Sequence, residues 1–168
     1  MMNKDGLLTL YDYDTYANHL VLDVVARLSE AEFVRRASAS HGSVRMLLLH
    51  MLGVQEGYLN DCLQRPTERP TLQTFAAIRD YWNRLGEDMR AFIVASTDAD
   101  LVQELEITLG GHPFRFPRWQ MLMQALVHSS HHRGELSIIL TELGYPLPTL
   151  DIIIQFAEQS GQPWPWKA

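Results

Sequence analysis

The stretch from residue 125 to residue 140, ALVHSSHHRGELSIIL, decides how this chain folds. Its apolar residues recur at steps of three and four, which predicts a helix running from Pro117 to about Leu143. The apolar stripe of that helix includes positions 128 and 132, and both are histidine. Because four residues make slightly more than one helical turn, His128 and His132 project from the same face.

Buried imidazoles need partners, and two unpaired ones would cost on the order of 2–6 kcal/mol. A divalent cation shared by His128 and His132 is one such partner. A second strongly apolar segment, from Ser43 to Leu63, is predicted to be a central helix and carries His50 on its apolar side. The three histidines together would form a metal site with open coordination positions, which is typical of catalytic centres. The alternative is that they are core histidines hydrogen-bonded to carbonyls or hydroxyls.

The remaining segments are also predicted to be mostly helical. A first amphipathic helix has its apolar stripe at Tyr13, Ala17, Leu20, Val24 and Leu28. Ser29 and Glu32 have the spacing of a capping box.

Two prolines end the Ser43–Leu63 helix, and Thr71 is the predicted N-cap of the next one. That helix has the most regular apolar stripe: Phe75, Ile78, Trp82, Leu85, Met89 and Phe92. Alternating residues around Gly110–Gly111 predict a β-hairpin, and a last short helix is predicted from about Thr149 to Gln159. The predicted fold is therefore all-α, a four-helix bundle with a short β-hairpin insertion and a short C-terminal helix, in a single domain spanning 1–168.

Composition limits the classes of partner. A net charge of −6 and a pI near 5.6 argue against general affinity for nucleic acid or for anionic membranes. Cys62 is the only cysteine, which excludes an internal disulfide and is more typical of a buried small hydrophobe than of a nucleophile. With no apolar run long enough to span a membrane and no secretory signal pattern, we expect a cytoplasmic protein. Trp164 and Trp166 are expected to cover the bundle or a subunit contact; if exposed, they would mark a partner site.

Other metal sites of helical proteins are absent from the sequence. No Glu-x-x-His occurs, which argues against a carboxylate di-iron bundle. No His-Glu-x-x-His occurs either, so the metalloprotease pattern is missing.

Two segments resemble the DinB family of metal-dependent helical bundles. HGSVRMLLLHMLGVQEGYL at 41–59 is similar to the histidine-bearing second helix of that family, and ALVHSSHHRGELSIILTELGYP at 125–146 is similar to its last bundle helix. The resemblance implies an up-down-down-up bundle, commonly a homodimer. It also implies a divalent metal, zinc or nickel, held by residues that correspond to His50, His128 and His132.

The same resemblance leaves some residues without a clear role. His131 matches a position that is usually histidine but not a ligand, so we expect it to support the site or face solvent. Glu135 stands where the family most often has glutamine, and Gln55 stands near a common glutamate. Arg133 is either a group that orients an anionic substrate or, as we favour, part of a salt bridge.

Three neutral imidazoles leave the charge of a divalent ion uncompensated, so the ion activates a bound water or thiol. The resemblance favours the thiol. We therefore predict a metal-dependent thiol S-transferase that uses a low-molecular-weight thiol and a small electrophile, with no catalytic residue assigned beyond the metal ligands. A metal-dependent hydrolase and a non-catalytic metal-binding stress-response protein remain as alternatives.

Overall fold

The computed structural model describes residues 2–38, 40–67 and 71–163, so Trp164 and Trp166 lie outside the described residues. The described residues form seven helices and two strands: α1 Lys4–Val25, α2 Glu30–Val34, α3 Val44–Leu63, α4 Phe75–Ala95, α5 Asp98–Leu101, β1 Glu104–Leu109, β2 His112–Pro117, α6 Arg118–Glu142 and α7 Ile152–Gln159. The predicted helical bundle with a hairpin insertion and a short C-terminal helix is confirmed.

The four long helices form a ring in which α1 and α3 each pack against both α4 and α6. Helices α1 and α4 run antiparallel, as two ion pairs show: Asp12–Arg90 and Asp23–Arg79. Helices α1 and α6 run parallel, since contacts join them in the same order along the chain: Asp14 with Arg133, and Arg27 with Tyr145 beyond the end of α6. Helices α3 and α6 run antiparallel, since contacts join them in opposite order along the chain: His50 with His132, and Gln55 with Ser129. This is the up-down-down-up order that the resemblance implied.

The core between these helices consists of fully buried side chains from all four: Leu7, Leu22, Leu47, Leu48, Leu59, Ile78, Met89, Ile93, Met121 and Leu122. The predicted buried face of α1 was partly wrong. Tyr13 and Leu20 are only half-buried, while Asp14 and Asn18 are buried. The reason is that Arg133 supplies an ionic partner to this face, which apolar periodicity does not reveal.

Several helices begin directly after a residue whose side chain accepts a hydrogen bond from an amide of the first turn. Ser43 caps α3, and the predicted capping box of Ser29 and Glu32 is present at α2. The predicted cap of α4 at Thr71 was wrong, because the hydroxyl of Thr74 accepts the hydrogen bond from the Ala77 amide. The last helix begins at Ile152, three residues later than predicted.

The hairpin joins α5 to α6. Residues of β1 and β2 pair from Leu109 with His112 to Glu104 with Pro117. Gly110 and Gly111 both have positive φ, 58° and 83°, which a two-residue turn of this type requires. Leu105 and Ile107 are buried on one side of β1, and the hairpin packs against α3 and α6.

Among the described residues, no helix is both long and apolar enough to cross a lipid bilayer.

Candidate metal centre

Three histidines from two helices meet in the antiparallel contact between α3 and α6. The Nε2 atom of His128 lies 3.0 Å from Nε2 of His50 and 3.1 Å from Nε2 of His132. The three ring centroids are 4.4–4.8 Å apart. His132 is buried, and the other two are half-buried. The structure thus brings together the three histidines that the sequence singled out.

This geometry suits a cation better than hydrogen bonds alone. Nitrogens bound at about 2.1 Å to one ion, with angles of about 90–110°, are about 3.0–3.4 Å apart. Neutral imidazole has one N–H, and Nε2 of His128 would need a properly directed partner in both His50 and His132 at once. Three Nε2 lone pairs directed at one ion remove that conflict, so the residues present fit a divalent metal.

The surroundings of His128 and His132 keep these two imidazoles neutral. Burial, together with the neighbouring His132 and His50, lowers the pKa of His128 to about 4. Burial also lowers the pKa of His132, against the opposing effect of Glu135. Both rings are therefore neutral at pH 7, and their lone pairs are available to a metal without prior loss of a proton.

Glu135 contacts the ring nitrogen of His132 that faces away from the cluster. One carboxylate oxygen, Oε2, lies 3.1 Å from Nδ1 of His132, and the other accepts hydrogen bonds of 2.5 Å from the hydroxyls of Ser38 and Ser40. Burial acts to raise the pKa of Glu135, but these three hydrogen bonds outweigh it and hold the pKa at about 2. A carboxylate behind a histidine in this way fixes its tautomer and orientation for a metal.

The ring of His128 has no carboxylate behind it among the described residues. Nδ1 of His128 is buried and makes no hydrogen bond with the described residues. With Nε2 directed at the cluster, Nδ1 carries the proton, so His128 is the less firmly oriented of the two α6 histidines.

A fourth histidine, which the sequence did not indicate, borders the cluster. One ligand atom from each of His41, His50 and His132 lies within 4.8 Å of the others. Two sets of three therefore share His50 and His132, with either His128 or His41 as the third. In the set with His128, the Nε2 atom of His128 lies 3.0 and 3.1 Å from the other two Nε2 atoms, separations that suit ligands of one ion. His41 lies in the turn before α3 and so gave no helical-periodicity signal.

His131 is exposed, and its ring lies 4.9 Å from that of His132 on the outer side of α6. It is in none of the sets of three described above.

A cavity of about 330 Å³ adjoins His41 and His50. Its wall is largely apolar: Met46, Leu49, Leu52 and Leu72. Its polar groups are the two histidines and a pair in which the hydroxyl of half-buried Tyr81 donates a hydrogen bond to buried Glu56. Burial and this hydrogen bond raise the pKa of Tyr81 to about 12, so its hydroxyl remains protonated. A cavity of this size accepts a small molecule.

The residue next to Glu56 has a structural role instead. Gln55 is buried, and its amide donates hydrogen bonds to Asp14 at 3.0 Å and to Ser129 at 2.9 Å. It does not line the cavity beside His50, whereas Glu56 does. Gln55 was singled out from the sequence, but the α3 carboxylate that lines the cavity belongs to Glu56, one position later.

Arg133 forms an interhelical salt bridge, the role that was favoured from the sequence. Its guanidinium donates to Asp14 and, at 2.8 Å, to Asn18, and both charged side chains are 3% exposed. Facing α1, it is engaged in the core and not at the metal cluster.

Cys62 is buried, as predicted. Burial raises the pKa of its thiol to about 12, which removes it as a nucleophile.

Known proteins resemble the chain over most of its length. Residues 1–163 match the family model of the DinB family. A DinB-like protein from Bacillus cereus ATCC 10987 aligns with a TM-score of 0.68 and 21% identity, over 88% of this chain and 99% of that one. The DinB-like protein YjoA from Bacillus subtilis aligns with a TM-score of 0.65 and 17% identity, over 84% and 97% of the two chains. At these identities the two structures support the fold alone. No curated protein matches the chain.

Proposed function

The chain belongs to the DinB family, and we propose that it is a metal-dependent thiol S-transferase with His50, His128 and His132 as metal ligands. The observation that carries this proposal is the approach of three Nε2 atoms, at 3.0 and 3.1 Å, beside a largely apolar cavity. Zinc and nickel are the proposed metals, because imidazole ligands suit both.

When bound, a divalent ion supplies the positive charge that lowers the pKa of a coordinating thiol. The chain's own residues prepare the site for it. Neutral His128 and His132 offer lone pairs at physiological pH, and Glu135 fixes which nitrogen of His132 faces the cluster. In the proposed reaction the cosubstrate sulfur bonds to an electrophilic carbon. The leaving group departs with the bonding electron pair, and the thiol proton passes to solvent.

The cavity beside His50 is proposed to bind the electrophile. Its apolar wall favours a compound with an apolar body, and its volume limits that compound to a small molecule. The buried carboxylate of Glu56, held by the hydroxyl of Tyr81, would receive a hydrogen-bond donor of the substrate. Glu56→Gln should therefore raise KM for a donor-bearing electrophile more than it changes kcat.

Metal content tests the site. Protein purified without a metal-binding tag should contain about one divalent ion per chain, and His128→Ala and His132→Ala should each lose it. His131→Ala is the matched control, because this histidine belongs to the same helix but is exposed. A chain that takes up no zinc, nickel or manganese would show that the histidines are core residues and would remove the basis of the enzyme proposal.

Activity assays then separate the reaction classes. Loss of electrophile that requires an added low-molecular-weight thiol supports the transferase. Turnover without any thiol would instead assign metal-dependent hydrolysis, with water as the nucleophile. Strong stabilisation by the metal, with no coordination position that accepts an added ligand, would assign a non-catalytic metal-binding protein.

The assembly and location remain predictions. We propose a homodimer, because the family resemblance implies one, and light scattering in solution measures it directly. A cytoplasmic location is favoured by the single cysteine, and cell fractionation tests it.

A further inference from the structure

His41 belongs to the same cluster of rings as the three proposed ligands. Its ring is stacked on that of His50, with centroids 4.0 Å apart and an angle of 28° between the planes, and it meets His132 edge-on at 5.0 Å. The proposed ligands are separated by 4.4–4.8 Å on the same measure. His41 also lines the cavity beside His50. It therefore borders both the histidine cluster and the proposed substrate cavity.

The turn that carries His41 is held in place by its own backbone. The amides of Ala37 and Ser38 donate to the carbonyl of Gly42 at 2.7 and 3.0 Å, and the amide of His41 donates to the hydroxyl of Ser38 at 2.9 Å. Gly42 has a φ of 84°, a conformation that glycine adopts without strain. His41 is thus presented by a closed turn directly before the N-cap of α3.

Glu135 ties this turn to α6 and determines the tautomer of His41. An ionised carboxylate only accepts hydrogen bonds, so the hydroxyl of Ser40, 2.5 Å from Oε1, uses its single proton on Glu135. The oxygen of Ser40 also lies 2.7 Å from Nδ1 of His41 and has only lone pairs left for that contact. The proton must then be on Nδ1 of His41, which leaves its Nε2 as a lone-pair donor.

The other carboxylate oxygen does the same for His132. Nδ1 of His132, 3.1 Å from Oε2 of Glu135, carries the proton, and its Nε2 points to His128. One carboxylate therefore gives two histidines the tautomer that a metal requires, one directly and one through Ser40. A glutamine at this position has a single carbonyl oxygen and cannot accept on both sides, which explains the use of glutamate in this chain.

We propose that His41 is a fourth imidazole ligand of the ion assigned to His50, His128 and His132, and that Glu135 is the residue that positions it. This inference rests on the proposed metal site. The ring of His41 is stacked on that of His50, so it must turn to direct its Nε2 at the same ion, and the ligand atoms must come closer than the 4.8 Å that bounds this set.

Zinc affinity measures the contribution of His41 independently of activity. In competition with a chromophoric chelator, Glu135→Gln should weaken Zn²⁺ binding about 10–100-fold, the usual effect of removing a partner behind a ligand. His41→Ala should weaken it by at least as much. His41→Ala added to Glu135→Gln should have little further effect, because the glutamine has already released the ring. His131→Ala should bind Zn²⁺ as wild type does.

The visible spectrum of the Co²⁺-loaded protein reports the coordination number. Wild type should show the strong ligand-field absorption of a four-coordinate site, and His41→Ala should show a changed spectrum that responds to added imidazole in solution. Wild-type affinity and spectrum in His41→Ala, alongside lost binding in His128→Ala, would overturn this inference and leave the three-histidine site intact. Failure of wild type to bind Zn²⁺ or Co²⁺ would overturn both.

Discussion

Replacing Arg133 with methionine tests whether the buried ion pair between α1 and α6 holds the bundle together. Arg133 and Asp14 are each 3% exposed, and the guanidinium also donates to Asn18 at 2.8 Å. Methionine keeps the apolar length of the side chain but removes both hydrogen bonds. The carboxylate of Asp14 is then buried with only two amide donors, from Asn18 at 2.9 Å and Gln55 at 3.0 Å.

Removing one partner of a buried ion pair costs about 3–5 kcal/mol, because the remaining charge is left without compensation. The two amides that remain reduce this penalty, so we expect a loss near the lower limit, about 3 kcal/mol. At roughly 2–4 °C per kcal/mol for a chain of this size, the Tm should fall by about 6–12 °C. Asp14→Asn removes the carboxylate charge that Arg133→Met leaves without a partner. The double variant should therefore recover part of the lost free energy of unfolding.

Urea denaturation of the metal-free protein, followed by circular dichroism, gives the free energies of unfolding for the double-mutant cycle. Working without metal separates this effect from the neighbouring His132. Arg115→Met is the control, since its ion pair with Glu106 has side chains 71% and 59% exposed and should contribute less than about 1 kcal/mol. Equal losses for Arg133→Met and Arg115→Met, or strictly additive effects of the two core substitutions, would refute the argument.

Three further outcomes follow from the structure. Saturating Zn²⁺ at about 100 times its Kd should stabilise wild type by about 2.7 kcal/mol, and a thermal melt of His132→Ala should show no such gain; a gain in that variant would mean that zinc binds elsewhere. Thr74→Ala should lower the free energy of unfolding in urea by about 1 kcal/mol through loss of the α4 cap, while an equal effect of Thr71→Ala would contradict the observed helix start. Cys62 should react with a thiol reagent only after unfolding. Labelling of the native protein at pH 8 would argue against this burial. Burial raises the pKa of the Cys62 thiol from 9.0 to about 12. The contribution of the buried neutral thiol to stability is therefore complete below pH 9 and is lost between pH 9 and about 12.

The helices of the bundle could be predicted because their apolar residues recur with helical spacing. The stripe from Ile78 to Met89 is buried as expected, and the glycine pair at 110–111 marks the hairpin turn. The cap of α4 could not be chosen in the same way, since Thr71 and Thr74 are both suitable residues. Thr74 is the cap in the structure, and Phe75, the first residue of α4, packs edge-on against Phe33 with ring centroids 5.7 Å apart.

The buried polar residues could not be identified from their positions along the chain. Asp14 and Asn18 belong on the core face of α1 only because Arg133 reaches them from α6. Burying a charge is unfavourable by itself, so a periodicity argument assigns such residues to the surface. Their partner is more than a hundred residues away in sequence.

The sequence by itself determined the helical bundle, the hairpin and the two α6 histidines on one face, because these depend on residues within a few turns of each other. Only the tertiary structure decided what those histidines meet. It brings His50 from α3 to 3.0 Å from His128, and it adds His41, which Ser40 links to Glu135 across a separation in sequence that helical spacing cannot bridge. Contacts of this kind depend on how separate elements pack, and a directional group such as imidazole acquires its chemistry from the atoms that packing places around it.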